Sequence, residues 1–177
     1  PDSVAIFDAD GKFIKSWGPQ YRSGAHGLQL RKEGNEEFLY LATTGQHRVV
    51  KTTLDGEVVF DIGYPKEATN AKGEPCYADE NKYIPTNIAF HPTDGSFYVA
   101  DGYGNYYVHR FSANGEYMST FGGRGDGEGE FKSPHGIYTD TRDPANPMLA
   151  VCDREHNQLY YFTLDGKPVK THRRDLR

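Results

Sequence analysis

A β-propeller of about three and a half four-stranded blades, all-β throughout, is the fold this sequence predicts, on three observations. A strand–turn–strand unit built on an Asp-Gly or Asn-Gly pair recurs four times. Two further short apolar strands precede that unit in three of the four cases. No segment keeps the apolar period of 3.6 that marks an amphipathic helix. The composition points the same way: 20 Gly, 13 Tyr and 10 Phe among 177 residues. Aromatic rings suit a pleated, half-buried surface, and glycine supplies positive φ for tight turns.

The elements follow in chain order. Residues 1–18 hold the first hairpin, Val4-Ala5-Ile6-Phe7-Asp8-Ala9-Asp10-Gly11-Lys12-Phe13, the outer strands of one blade. The next blade, 22–63, starts with Ala25-His26-Gly27-Leu28-Gln29-Leu30, continues with Phe38-Leu39-Tyr40-Leu41-Ala42, and ends in a hairpin around Asp55-Gly56. Residues 84–122 repeat the order: Pro85-Thr86-Asn87-Ile88-Ala89-Phe90, Phe97-Tyr98-Val99-Ala100-Asp101, then a hairpin around Asn114-Gly115. Residues 133–172 do so again, with Pro134-His135-Gly136-Ile137-Tyr138-Thr139, Met148-Leu149-Ala150-Val151-Cys152-Asp153 and a hairpin around Asp165-Gly166. An Asp-Gly or Asn-Gly tip is a strong hairpin signal because both turn positions tolerate positive φ. The tip glycines fall at 11, 56, 115 and 166, so the spacings are 45, 59 and 51 residues. Four short strands per repeat of that length is the arithmetic of a propeller blade. A β-sandwich also has many short strands, but it gives no reason for three features to recur in one order.

The connections carry their own signals. Residues 64–83 (YPKEATNAKGEPCYADENKY) are polar and turn-rich, account for the longest spacing, and read as an inter-blade loop of the kind that carries function. Residues 122–130 (GGRGDGEGE) form a shorter glycine-rich connection with no helix after it, so they are not a phosphate cradle. Asp101 and Asp153 recur after the second strand of a blade and are expected to bond backbone amides of the following turn. His47, His91, His109, His156 and His172 sit at hairpin, turn or terminal positions and are expected on the solvated surface.

Composition sets outer bounds. The net charge of −5, with acidic and basic residues interspersed, and a single short basic ending (His172-Arg173-Arg174-Asp175-Leu176-Arg177) give no nucleic-acid patch. No apolar stretch approaches the ~18 residues of a membrane helix. The chain begins in mid-pattern at Pro1-Asp2-Ser3, which leaves a leader upstream open. Cys76 and Cys152 are too few for a disulfide scaffold and lack metal-type spacing, so the redox compartment stays open.

Phe131-x-x-Pro134-His135-Gly136-Ile137, a strand ending in Asp153, and then Asn157-Gln158-Leu159-Tyr160-Tyr161-Phe162 resemble the NHL repeat over nearly the whole chain. The stretch 85–92, the run Phe97-Tyr98-Val99-Ala100-Asp101-Gly102-Tyr103-Gly104-Asn105 and Cys152-Asp153-Arg154-Glu155 resemble peptidyl-α-hydroxyglycine α-amidating lyase. That resemblance implies a six-bladed propeller that cleaves hydroxyglycine-extended peptides to peptide amides and glyoxylate, in a secreted or periplasmic setting. It implies zinc bound by histidines from alternate blades, here His26 and His135, with Thr86 in the blade between. It also implies Tyr103 as the catalytic base and the Leu28 backbone carbonyl as a ligand of a structural calcium. A third histidine and an active-site arginine are expected in blades outside these residues. The family's disulfides do not carry over, since Gly104 stands where a cysteine is expected.

The chemistry can be argued from the residues alone. Equivalent positions of a propeller project to one radius, so two imidazoles two blades apart can meet on one ion. Zinc accepts histidine nitrogen at about 2.0–2.1 Å, and an open coordination position can polarise a substrate oxygen. Tyr103 could serve as base only beside a cation or the metal, because a phenol ordinarily titrates near pH 10. Taken with the resemblance, the expected function is a zinc-dependent lyase or related metal-assisted enzyme acting on a small peptide-like substrate in the channel. The alternative is a non-catalytic NHL propeller that binds a protein partner or ligand; a calcium-dependent lactonase-type propeller fits less well, since it would want carboxylates where His and Thr stand. Three and a half blades leave sheet faces uncovered, so further blades are expected from the rest of a longer chain or from another chain.

Overall fold

The computed structural model describes residues 1–173; of the basic ending, residues 174–177 lie outside the described part. Four antiparallel sheets follow one another along the chain. The first holds only β1 (Val4–Phe7) and β2 (Phe13–Trp17). The first complete blade is β3 (Ala25–Glu33), β4 (Glu36–Thr43), β5 (Arg48–Thr53) and β6 (Val58–Ile62). The second is β7 (Asn87–Phe90), β8 (Phe97–Ala100), β9 (Tyr107–Phe111) and β10 (Tyr117–Gly122). The third is β11 (Pro134–Asp140), β12 (Met148–Asp153), β13 (Gln158–Thr163) and β14 (Pro168–Arg173). Each complete blade is a meander in which sequence neighbours pair, and β7 packs between β3 and β11 on the inner side.

The hairpin tips depart from the sequence expectation in one respect. Only the glycine of each pair takes positive φ: Gly11, Gly56, Gly115 and Gly166 lie between +79° and +89°, and the preceding Asp or Asn does not. All four tips share one bonding pattern, as in Gly56 N–H to the Thr53 carbonyl and Thr53 N–H to the Glu57 carbonyl. This is a type I turn closed by a glycine bulge, which needs a left-handed residue at one place only. The first residue of each turn adds a side-chain cap: Asp8, Thr53, Ser112 and Thr163 accept backbone N–H groups across the loop.

Between blades the faces interlock. Tyr40, Val49, Ile88, Phe97, Val99 and Phe111 form one buried cluster between the first and second blades. Tyr98, Val108, Phe131, Leu149, Val151 and Phe162 form another between the second and third. A blade covered on both faces buries both sets of alternating residues. His109 of β9, placed on the surface by sequence reasoning, is fully buried too, because Tyr77 and Tyr83 of the 64–83 connection cover it beside Phe111 of its own blade. His156 is also mostly covered, between Asp153 and Asp126.

The 64–83 connection is likewise packed rather than loose. Ala68, Cys76, Tyr77 and Tyr83 are buried and join the first cluster, while its polar residues face outward. The outer face of the third blade, by contrast, has no sheet against it among the described residues. It holds a concavity of roughly 440 Å³ walled by Tyr138, Ala150, Cys152, Leu159 and Tyr161. Neither of the two histidines described next lines this hollow.

Candidate functional site

His26 and His135 start the inner strands β3 and β11, and both stand at β-bulges. The register passes from Ala25–Thr43 to Gly27–Ala42, leaving His26 without a partner. It passes from Pro134–Asp153 to Gly136–Cys152, leaving His135 in the same position. An unpaired bulge residue turns its side chain out of the normal alternation. Here it turns both imidazoles toward the space in front of β7. Gly27 lets the strands come this close: a Cβ on it would lie 2.5 Å from the Thr86 carbonyl oxygen and 2.9 Å from Asn87 Cα.

Tyr103 arrives from the turn between β8 and β9. In the first and third blades the corresponding turns are short 3-10 segments, Thr44–Gln46 and Arg154–His156. There the residues flanking the turn, Thr43 and Arg48 or Asp153 and Gln158, pair five positions apart. In the second blade Asp101 and Tyr107 bond six positions apart, so this turn holds one residue more. Gly102 and Gly104 allow the wider path. A Cβ on Gly102 would lie 2.6 Å from Thr86 Oγ1 and 2.8 Å from the Pro134 carbonyl oxygen, and one on Gly104 would strike the Asp101 carboxylate and the Lys82 carbonyl.

The three predicted side chains meet. The Tyr103 hydroxyl lies 2.7 Å from His135 Nε2 and 3.4 Å from His26 Nε2. The two imidazole centroids are 4.9 Å apart, and the phenol ring is 5.3 Å from His26 and 5.2 Å from His135, all edge to face. His26 Nδ1 donates to the Thr86 carbonyl at 2.8 Å, so the lone pair of the neutral ring lies on Nε2. Burial, His26 and Arg154 together hold His135 below the usual imidazole range, so its Nε2 can accept from the phenol.

Arg154 is the site residue that sequence reasoning missed. Its guanidinium lies 5.4 Å from the Tyr103 ring and donates to the hydroxyl at 3.4 Å. Tyr103 and Glu155 in turn favour its charged form. A signal for it exists. His47, Tyr106 and Asn157 share a left-handed backbone conformation just before the third strand of each blade. Counting back three residues from each gives Thr44, Tyr103 and Arg154, so the arginine occupies in the third blade the place Tyr103 has in the second.

Other predicted features fall elsewhere. Leu28 pairs with Leu41 within the first blade, and the residue is 48% exposed. Asp101 and Asp153 do accept backbone N–H groups, but Asp153 takes those of Lys132 and Ser133, ahead of β11, rather than those of the following turn. Cys76 is buried and Cys152 exposed, both free.

Among the described residues no group of three His, Cys, Asp or Glu side chains gathers to hold a metal. The pair that does gather suits one in its chemistry: two Nε2 atoms facing one point, one of them with its ring held through Nδ1 by a backbone carbonyl. Such an outer-shell bond commonly orients histidine ligands.

Comparison with known proteins adds context to this geometry. A family model described as DUF5128, a 6-bladed beta-propeller, matches residues 79–177. The chain is 28% identical over 163 residues to peptidyl-glycine alpha-amidating monooxygenase A of Xenopus laevis, covering 90% of this chain and 16% of that protein. It is 27% identical over 171 residues to peptidyl-alpha-hydroxyglycine alpha-amidating lyase 1 of Drosophila melanogaster, covering 90% of this chain and 29% of that protein. This chain therefore spans less than a third of these relatives. Among solved structures, a streptogramin B lyase superposes with a TM-score of 0.67 at 13% identity, over 97% of this chain and 47% of the other. That likeness concerns the fold alone.

Proposed function

The chain belongs to the DUF5128 family of 6-bladed beta-propellers, and from that premise we propose that the cluster of His26, Tyr103, His135 and Arg154 is the active site of a zinc-dependent lyase. Its substrates would be peptides ending in α-hydroxyglycine, or related small amides bearing a hydroxyl on the carbon attached to nitrogen. The observation that carries this reading is the Tyr103 hydroxyl set within reach of both Nε2 atoms.

His26 and His135 would hold the zinc through Nε2, with further ligands from outside the described residues, and zinc bound there supplies Lewis-acid polarisation of a substrate oxygen. Cleavage requires the substrate hydroxyl to lose its proton as its carbon–oxygen bond becomes a carbonyl. The carbon–nitrogen bond breaks with its electron pair going to nitrogen, which takes up a proton to become the amide. Tyr103 would receive the hydroxyl proton. Arg154, 3.4 Å from the phenol oxygen, would stabilise negative charge developing on that atom. The Thr86 carbonyl keeps the His26 ring from rotating during turnover. The same reading keeps the Leu28 carbonyl as a candidate ligand of a structural calcium.

The test is glyoxylate release from a hydroxyglycine-extended peptide by the full-length protein, alongside zinc analysis. Zinc-dependent release supports the reading. A protein that binds no zinc and releases no glyoxylate overturns it in favour of a non-catalytic scaffold.

A further inference from the structure

Behind the Tyr103 turn sits a buried carboxylate that the chemistry above does not use. Asp101 is fully buried at the end of β8, and it ties three segments together. Its Oδ1 accepts the Ile84 N–H at 2.6 Å, from the chain leading into β7. Its Oδ2 accepts the Asn105 N–H at 2.7 Å, from the Tyr103 turn itself. The same oxygen accepts the Tyr77 hydroxyl at 2.9 Å, from the 64–83 connection. Tyr77 reaches onward to His109 Nε2 at 2.5 Å, and His109 Nδ1 meets Thr120 Oγ1 at 2.8 Å. Asn105 closes the loop by donating to the Cys76 carbonyl at 2.7 Å. The 64–83 connection, the wider turn and β9 thus share one buried polar chain.

We infer that Asp101, held by Tyr77, is a positioning residue: its ionised carboxylate fixes the turn that presents Tyr103 between His26 and His135, and its protonation loosens that turn. The inference rests on the reading of Tyr103 as a functional group at the channel mouth. Two physical facts support it. The turn is one residue longer than its counterparts and lacks their 3-10 hydrogen bonding, so it needs an outside anchor. Protonation of a carboxylate that accepts several N–H and O–H groups weakens those bonds. Burial carries Asp101 up to about 6, which brings that event into an accessible pH range. The titratable groups around it are Tyr77 and Cys76 of the connection, Tyr83 at its end and His109 of β9. All of these are held in their neutral forms by burial. Two cations bear on the same turn from other segments: Arg124 donates to the Gly104 carbonyl and stacks on Tyr106, and Arg154 donates to the Tyr103 hydroxyl.

The test is NMR of the full-length protein carrying fluorotyrosine, with the Tyr103 signal assigned by Tyr103→Phe. In the wild type that signal should titrate with a midpoint near pH 6. Tyr77→Phe keeps the ring and removes one donor to the carboxylate, and should move the midpoint up by about one pH unit. Asp101→Asn should abolish the titration. A Tyr103 signal that does not respond to pH near 6, or one whose midpoint is the same in Tyr77→Phe, overturns the inference. Because the readout is spectroscopic, a wild type that fails to release glyoxylate counts against the proposed function and leaves this result to be read separately. Should Asp101→Asn fold poorly, the Tyr77→Phe shift decides alone.

Discussion

The Tyr103 hydroxyl stands 2.7 Å from His135 Nε2, although the two residues come from different blades and are 32 positions apart. On the proposed lyase reading that hydroxyl is the proton acceptor. Tyr103→Phe should lower turnover of a hydroxyglycine peptide by about 10²- to 10⁴-fold, the usual range for one positioned acid–base group. Zinc content should remain at the wild-type level. Steady-state kinetics with metal analysis on the same sample check both halves.

His26 and His135 should be interdependent as ligands. His26→Ala or His135→Ala leaves one imidazole, and each variant should lose most bound zinc, with the double variant holding none. Measured by atomic emission after dialysis, a double variant that keeps one zinc per chain would contradict the assignment of these two nitrogens. Far-UV circular dichroism should stay unchanged, because neither ring belongs to the buried clusters.

Gly102 and Gly104 shape the turn by what they lack. A methyl group on Gly102 would meet the buried Thr86 side chain and the Pro134 carbonyl, and one on Gly104 the buried Asp101 carboxylate and the Lys82 carbonyl. Gly102→Ala and Gly104→Ala should each destabilise by about 1–3 kcal/mol, the cost of forcing extra volume into a packed site. Gly136→Ala is the control, since its Cβ would meet only Cys152 at ordinary contact distances of 3.6–3.7 Å. Urea midpoints of the three variants give the comparison.

The acid stability of the chain should reflect two buried groups of opposite sign. Burial pushes His109 down to about 3, so between pH 6.5 and 3 the unfolded chain binds a proton that the folded one does not. Stability from this source falls as pH falls. Burial lifts Asp101 to about 6, so between pH 6 and 3.8 the folded chain binds the extra proton, and stability from that source rises as pH falls. The two offset each other across most of the window. His109→Gln removes only the first, so its stability at pH 4 relative to pH 7 should improve on the wild type by about 2–3 kcal/mol. Denaturant unfolding at the two pH values checks the sign.

How much of this was legible in the sequence depends on whether the signal was local. The blades were, because a glycine bulge at 11, 56, 115 and 166 and a strand pattern repeated in order are properties of short segments. Bringing His26 and His135 together was also readable, since equivalent positions of a repeat fall at one radius. The burial of His109 was not, because alternation along β9 cannot report that the 64–83 connection folds over that strand. The role of Tyr77 was hidden in a segment whose polar composition read as an exposed loop; three of its aromatic residues in fact anchor it. Arg154 has no motif of its own; its place shows only in the left-handed Asn157 three residues on, as Tyr106 follows Tyr103.

One residue separates the Tyr103 turn from its counterparts in the flanking blades. A repeat array is built by copying, and copying alone yields equal positions around an axis. The extra residue in this turn breaks that equivalence without disturbing a single strand register, because it is absorbed where the chain already leaves the sheet. A pseudo-symmetric scaffold thereby acquires one unique direction, and chemistry that must tell the two ends of a substrate apart can be built on parts that began alike.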